Sequence, residues 1–259
     1  MTDIPSPENA DSPVYFVLLG ASNLARGYYA LARHLKNQLS PRRVRFWNAL
    51  GPGRGYCARG GFLHVSYSSI ETCNLWSALP APLPENTRIL ALLTDVGNDI
   101  MYGVHPDQIT EALKDIIRRL QHLNAEIFFT KIPAYFEKPI PTWIFYSLRL
   151  LFFPRSRVTM MEAVYATRKI NHFLENAVGD SLHLITGLDS CYGWDRIHYS
   201  VFKAGDVWSR VAKEFLKELG CPPSAPIRFR DMMNSYFANI RDLWGADMLQ
   251  RRKKGKAFF

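Results

Sequence analysis

Apolar positions along this chain follow two alternating rhythms. Val14, Tyr15, Phe16, Val17, Leu18 and Leu19 form an unbroken apolar run between Pro13 and Gly20, the pattern of a strand covered on both faces. From Asn23 onward the period becomes helical, with Leu24, Tyr28, Leu31, Ala32 and Leu35 on one face. The alternation recurs. Strands are predicted over 44–48, 89–94, 126–132 and 182–186, and helices over 106–123, 158–178 and 201–219. The second helix carries Ile109, Leu113, Ile116, Ile117 and Leu120 on one stripe, and the last carries Val207, Val211, Phe215 and Leu219. Residues 61–77 are ambiguous, with a helix expected in their second half. Pro80, Pro82 and Pro84 then read as a stiff connector.

Five strands alternating with helices, without an internal repeat or a clear linker, predict an α/β protein. The expected form is one three-layer α/β/α sandwich on a mostly parallel five-stranded sheet, with right-handed crossovers. The expected domain spans 14–221, after a flexible lead-in over 1–13. A C-terminal extension over 222–259 opens with Pro222, Pro223 and Pro226, holds a short helical piece around Ile240 and ends in a basic tail.

In a parallel sheet the loops after successive strands emerge at one carboxyl edge, where ligands bind in open α/β folds. Ser22 stands there, between the first strand and its helix. It serves as a nucleophile beside free helix N–H groups, or it only caps the helix. Gly51, Gly53 and Gly55 follow the second strand and permit close backbone approach. No Lys-Ser or Lys-Thr follows them, which excludes a phosphate-binding P-loop. Asn98 follows the third strand, and Asp195 and His198 follow the fifth. Singly these residues make turns, caps or structural contacts. Together they supply a nucleophile, a base, an orienting acid and oxyanion donors. The spacing of three lets one tight turn present Asp195 and His198 on the same side.

Four blocks in order, Gly20-Ala21-Ser22-Asn23-Leu24, the glycine loop 51–55, Gly97-Asn98-Asp99 and Asp195-Arg196-Ile197-His198, resemble those of the SGNH hydrolases, the GDSL-type esterases and lipases. The resemblance implies a flavodoxin-like sandwich with strand order 2-1-3-4-5, no cofactor and no metal. It assigns Ser22 as nucleophile, His198 as base and Asp195 as its partner. It gives the oxyanion to the Ser22 backbone N–H, a glycine N–H of the second block and the Asn98 amide. The glycine is placed at Gly53, with Gly51 and Gly55 left open. One departure stands out: the usual Gly-Asp-Ser is Gly-Ala-Ser here, so no carboxylate adjoins the nucleophile at Ala21. Gly179-Asp180-Ser181-Leu182 spells the family name but precedes a strand, which puts Ser181 at the wrong edge.

The function expected from this set is a serine esterase that cleaves a carboxylic ester through an acyl-enzyme on Ser22. Two alternatives keep the fold: transfer of the acyl group to a sugar or lipid hydroxyl, and a non-catalytic protein that binds a membrane or nucleic acid. The expected partner is a small-molecule, lipid or sugar ester. Nucleic acid is the less favoured partner, because five of the nine net positive charges lie in the tail at Arg251, Arg252, Lys253, Lys254 and Lys256. The start of the chain lacks the pattern of a signal peptide, no run is long enough to span a membrane, and the four cysteines show no metal spacing. A cytoplasmic location is the resulting expectation, with peripheral membrane contact left open. That contact rests on an apolar insertion near 134–157. Its residues 142–153 are almost wholly apolar and read as a lid, a membrane-surface segment, a dimer face or an ordinary core helix.

Overall fold

A computed structural model describes residues 12–62, 65–79 and 82–248. The lead-in up to residue 11, Pro80 and the basic tail beyond 248 lie outside the described residues. Seven strands and eight α-helices follow one another: β1 (Val14–Leu19), α1 (Ser22–Leu39), β2 (Val44–Ala49), β3 (Gly60–Phe62), β4 (Val65–Tyr67), α2 (Leu75–Ala78), β5 (Arg88–Leu93), α3 (Asn98–Met101), α4 (Pro106–His122), β6 (Ala125–Thr130), α5 (Thr142–Phe152), α6 (Met160–Asn176), β7 (Leu182–Ile185), α7 (Ala204–Glu218) and α8 (Phe229–Asp242). All five strands of the main sheet are parallel, in the order β2-β1-β5-β6-β7. Counting sheet strands alone, this is the expected 2-1-3-4-5. The hairpin β3–β4 is a separate antiparallel pair inside the ambiguous stretch, and the helix expected after it is the single turn α2.

The central strands β1, β5 and β6 bury both faces, and alternate residues feed two cores. Val14, Phe16 and Leu18 join Leu90, Leu92 and Phe128 with residues of α1 and α7. Tyr15, Val17 and Leu19 join Ile89, Ala91, Leu93, Ile127 and Phe129 with residues of α4 and α6. The result is the three-layer flavodoxin-like sandwich. α8 packs on α1, with Met232 and Ser235 buried. The Ser235 hydroxyl donates to the Arg26 carbonyl at 2.6 Å, and Tyr29 bonds Asp242. The part of the C-terminal extension over 229–242 is therefore built into one helical layer of the sandwich.

The sheet order reverses at β1, which has β2 on one side and β5 on the other. A crevice at the carboxyl ends of such a pair is the binding position of open α/β sheets. Tyr56 fastens the backbone there. Fully buried, its hydroxyl lies 3.0 Å from the Leu19 carbonyl and 2.8 Å from that of Thr94, the ends of β1 and β5.

Candidate active site

Gly20 must be small, since a Cβ there would lie 2.8 Å from Thr94 Cγ2. After this turn Ser22 opens α1. No side chain at residue 21 caps the helix. The cap comes instead from across the sheet. Asp95, just past β5 and held at φ of 60°, accepts from the Ala21 N–H at 2.9 Å and the Leu24 N–H at 3.1 Å through Oδ2. Its Oδ1 accepts from Asn23 Nδ2 at 2.9 Å. A carboxylate on the first free N–H groups of a helix is the favoured arrangement for its dipole. The carboxylate missing at Ala21 is thus replaced by one 74 residues away in sequence. Residue reading missed Asp95. Its only sequence signal is a third acidic or amide side chain in the short loop that also holds Asn98 and Asp99.

The turn holding Asp195 and His198 is built by Asp195 itself. Its Oδ1 accepts from the N–H groups of Ile197 at 3.1 Å and His198 at 2.9 Å. Arg196 takes the left-handed φ of 58° that the turn needs. Oδ2 is left for the imidazole, 2.7 Å from His198 Nδ1. An ionised carboxylate only accepts, so Nδ1 carries the proton and Nε2 is the acceptor. Nε2 lies 3.0 Å from Ser22 Oγ. Asn23 locks the two loops together, donating to the Ile197 carbonyl at 3.0 Å and accepting from the Tyr199 N–H at 2.9 Å. Burial pushes the Asp195 carboxyl up, but the side-chain and backbone bonds from His198 outweigh it and hold it below the usual carboxylate range.

Asn98 opens α3 beside this chain, and its amide donates to the Arg54 carbonyl at 3.0 Å. One of its two N–H hydrogens remains to be directed elsewhere. Asp99 is fully buried and gathers the N–H groups of Tyr56, Cys57 and Ala58 at 2.5, 3.2 and 2.7 Å. Burial pushes its carboxyl up, against the pull of those N–H groups. Burial and Asp99 together push the Cys57 thiol up, so Cys57 stays protonated and is no thiolate nucleophile. Gly53 has φ of 72°, and a Cβ there would lie 2.3 Å from the Gly61 carbonyl. Its own carbonyl accepts from the Tyr102 hydroxyl at 2.5 Å.

Ser22 and Asn98 line one cavity of about 130 Å³ whose other walls are mostly apolar, including Ile132, Phe136, Phe145, Leu148 and Val164. Gly53 is not among its lining residues. It joins the group through Arg54, whose carbonyl holds Asn98. The structure therefore brings Ser22, His198 and Asp195 into one hydrogen-bonded chain, with Asn98 facing the same cavity. Ser181 lies at the opposite edge, where its carbonyl accepts from the Ile127 N–H at the start of the sheet. The four cysteines are free. No described helix is long and apolar enough to cross a membrane.

No protein-family model and no curated protein matches this chain. Solved structures do match. One aligns over 81% of this chain and 100% of its own, at 14% identity and a TM-score of 0.50. A psychrotrophic esterase, EstA from Pseudoalteromonas sp., aligns over 79% of this chain and 98% of its own, at 14% identity and a TM-score of 0.44. TesA aligns over 79% and 99%, at 17% identity and a TM-score of 0.43. Likeness at these identities is likeness of fold. What the likeness shows is the flavodoxin-like α/β/α fold of this chain.

Proposed function

We propose that this protein is a carboxylic ester hydrolase of the serine type, with Ser22 as nucleophile, His198 as general base and Asp195 as the residue that orients the imidazole and stabilises its charge once it has taken the proton. One observation carries the reading: the unbroken chain from Asp195 Oδ2 through both ring nitrogens of His198 to Ser22 Oγ, at 2.7 and 3.0 Å, at the mouth of an apolar cavity. His198 takes the hydroxyl proton as Ser22 attacks the ester carbonyl. It then returns that proton to the departing alcohol. Water, deprotonated by the same imidazole, cleaves the acyl-enzyme.

The developing oxyanion is held by the Ser22 N–H and the second Asn98 amide hydrogen; the Gly53 N–H, off the cavity wall, would complete the set only if the loop moved toward the bound ester. Such donors act most strongly where water is excluded. The acyl chain enters the cavity walled by Ile132, Phe145 and Val164. No step calls for a metal or cofactor. The test is hydrolysis of 4-nitrophenyl esters of increasing acyl length by the parent chain and by Ser22→Ala. The expected result is turnover in the parent and none above background in the variant. Equal rates in both would overturn the reading.

A further inference from the structure

Helix α5 breaks the usual division of a helix into a buried and a wet face. Phe145, Leu148 and Phe152 form its inner side. Phe145 and Leu148 line the Ser22 cavity, and Phe152 sets its ring edge-on to His198 at 5.3 Å. The opposite side is apolar too, apart from Ser147. Trp143, Tyr146 and Leu150 recur at i, i+3 and i+7, one stripe of a helix, with Leu151 beside them. Trp143 is 73% exposed, Leu150 70% and Leu151 61%. A helix with only Thr142, Ser147 and Arg149 as polar positions belongs in a largely apolar surrounding. Here only half of that surrounding is protein.

The charges about α5 say what covers the other half. From residue 138 to residue 161 the chain contains Lys138, Arg149, Arg155 and Arg157 and no acidic residue. Lys138 precedes the helix, and Arg155 and Arg157 follow it directly; all three are exposed. Apolar side chains along a short helix with cations at both ends match the acyl boundary and anionic headgroups of a lipid surface. At 11 residues the helix is about 16 Å long, too short to span the hydrocarbon and suited to lying in its surface. A second copy of the chain fits less well, because two such faces would bring cation against cation, while the flanking acids Glu137 and Glu162 are already bonded to Asn171 and Thr159.

We infer that the outer face of α5, with Lys138, Arg155 and Arg157, docks this protein on an anionic lipid surface. The docked helix lies with its outer stripe among the acyl chains and its inner side as the wall of the cavity beside Ser22. Docking of this kind needs no catalysis. If the esterase reading holds, it also places the ester supply at the lipid surface.

The test is tryptophan emission of the full chain mixed with vesicles of phosphatidylcholine, with and without phosphatidylserine, carrying brominated acyl chains. Trp143 is isolated as the difference between the parent and Trp143→Phe. The expected result is quenching of the Trp143 emission on vesicles containing phosphatidylserine. Replacing Arg155 and Arg157 by Ser should weaken binding roughly thirtyfold, since each juxtamembrane cation adds about 1 kcal/mol. Leu150→Ser should weaken it further, and these exposed positions leave the fold intact by circular dichroism. Ser22→Ala should bind as the parent does, which separates docking from the proposed chemistry. Binding with no Trp143 quenching would mean that another surface, such as the basic tail, makes the contact. That result, an absence of binding, or a dimer dispersed by Leu150→Ser would each overturn the inference.

Discussion

At the scale of single residues, the site rests on side chains that hold backbone as much as on those that react. Asp95 fixes three donors around Ser22, two of them backbone N–H groups. Asn tolerates the left-handed backbone at this position and Ala does not. Asp95→Asn should therefore keep the fold and lower kcat about tenfold with little change in KM. Asp95→Ala should lower both kcat and thermal stability. Steady-state kinetics beside thermal melts would show it, and an unchanged kcat in Asp95→Asn would remove Asp95 from the account. On the proposed mechanism Asn98→Ala removes one oxyanion donor and should reduce kcat about a hundredfold, roughly 3 kcal/mol of barrier. The meeting of Ser22, Asn98, Asp195 and His198 was legible as a candidate because acyl transfer calls for few side-chain types and the turns fix their spacing. Asp95 was not. Its role depends on β5 lying beside β1, which local pattern does not encode, and it acts on N–H groups that every residue carries.

At the scale of elements, the long strands and helices followed the apolar rhythm closely. The predicted stripe of α4, from Ile109 to Leu120, is buried throughout. The hairpin β3–β4 escaped because three-residue strands with glycine give no period to read. The placement of α5 escaped for another reason: an apolar helix reads the same whether its outer face meets a core or a lipid. The loop between β2 and the hairpin depends on two buried anchors, and its stability is testable. Tyr56→Phe removes the hydroxyl that bridges the Leu19 and Thr94 carbonyls, of which Leu19 keeps the Thr94 N–H, and should cost about 1–3 kcal/mol. Asp99→Ala orphans three N–H groups and should cost about 3 kcal/mol or more. Urea unfolding with an unchanged m-value would measure both. A neutral Asp99→Ala would show that the loop is held by something else.

At the scale of the whole molecule, the parallel sheet does the assembling. Sequence positions 22, 98, 195 and 198 meet because every strand delivers its loop to one edge, and because the order reverses beside β1. That much followed from the alternation of strands and helices. The packing of α8 on α1 did not, since nothing local marks which surface a terminal helix covers. The linked site also has a pH signature. The bonds from His198 hold Asp195 below the usual carboxylate range, so the stability they contribute is full above that range. It is lost only as pH falls through the lowered folded value. Asp195→Asn lacks that titration, so its melting temperature should fall less steeply than the parent's as pH is lowered through the acidic range. Equal slopes for the two would contradict the assignment. The most direct measurement is labelling of the purified protein with a fluorophosphonate, followed by peptide mapping of the modified serine. The account predicts modification at Ser22, lost in His198→Ala. Modification at Ser181 or any other serine, or labelling of Ser22 that persists without His198, would contradict it.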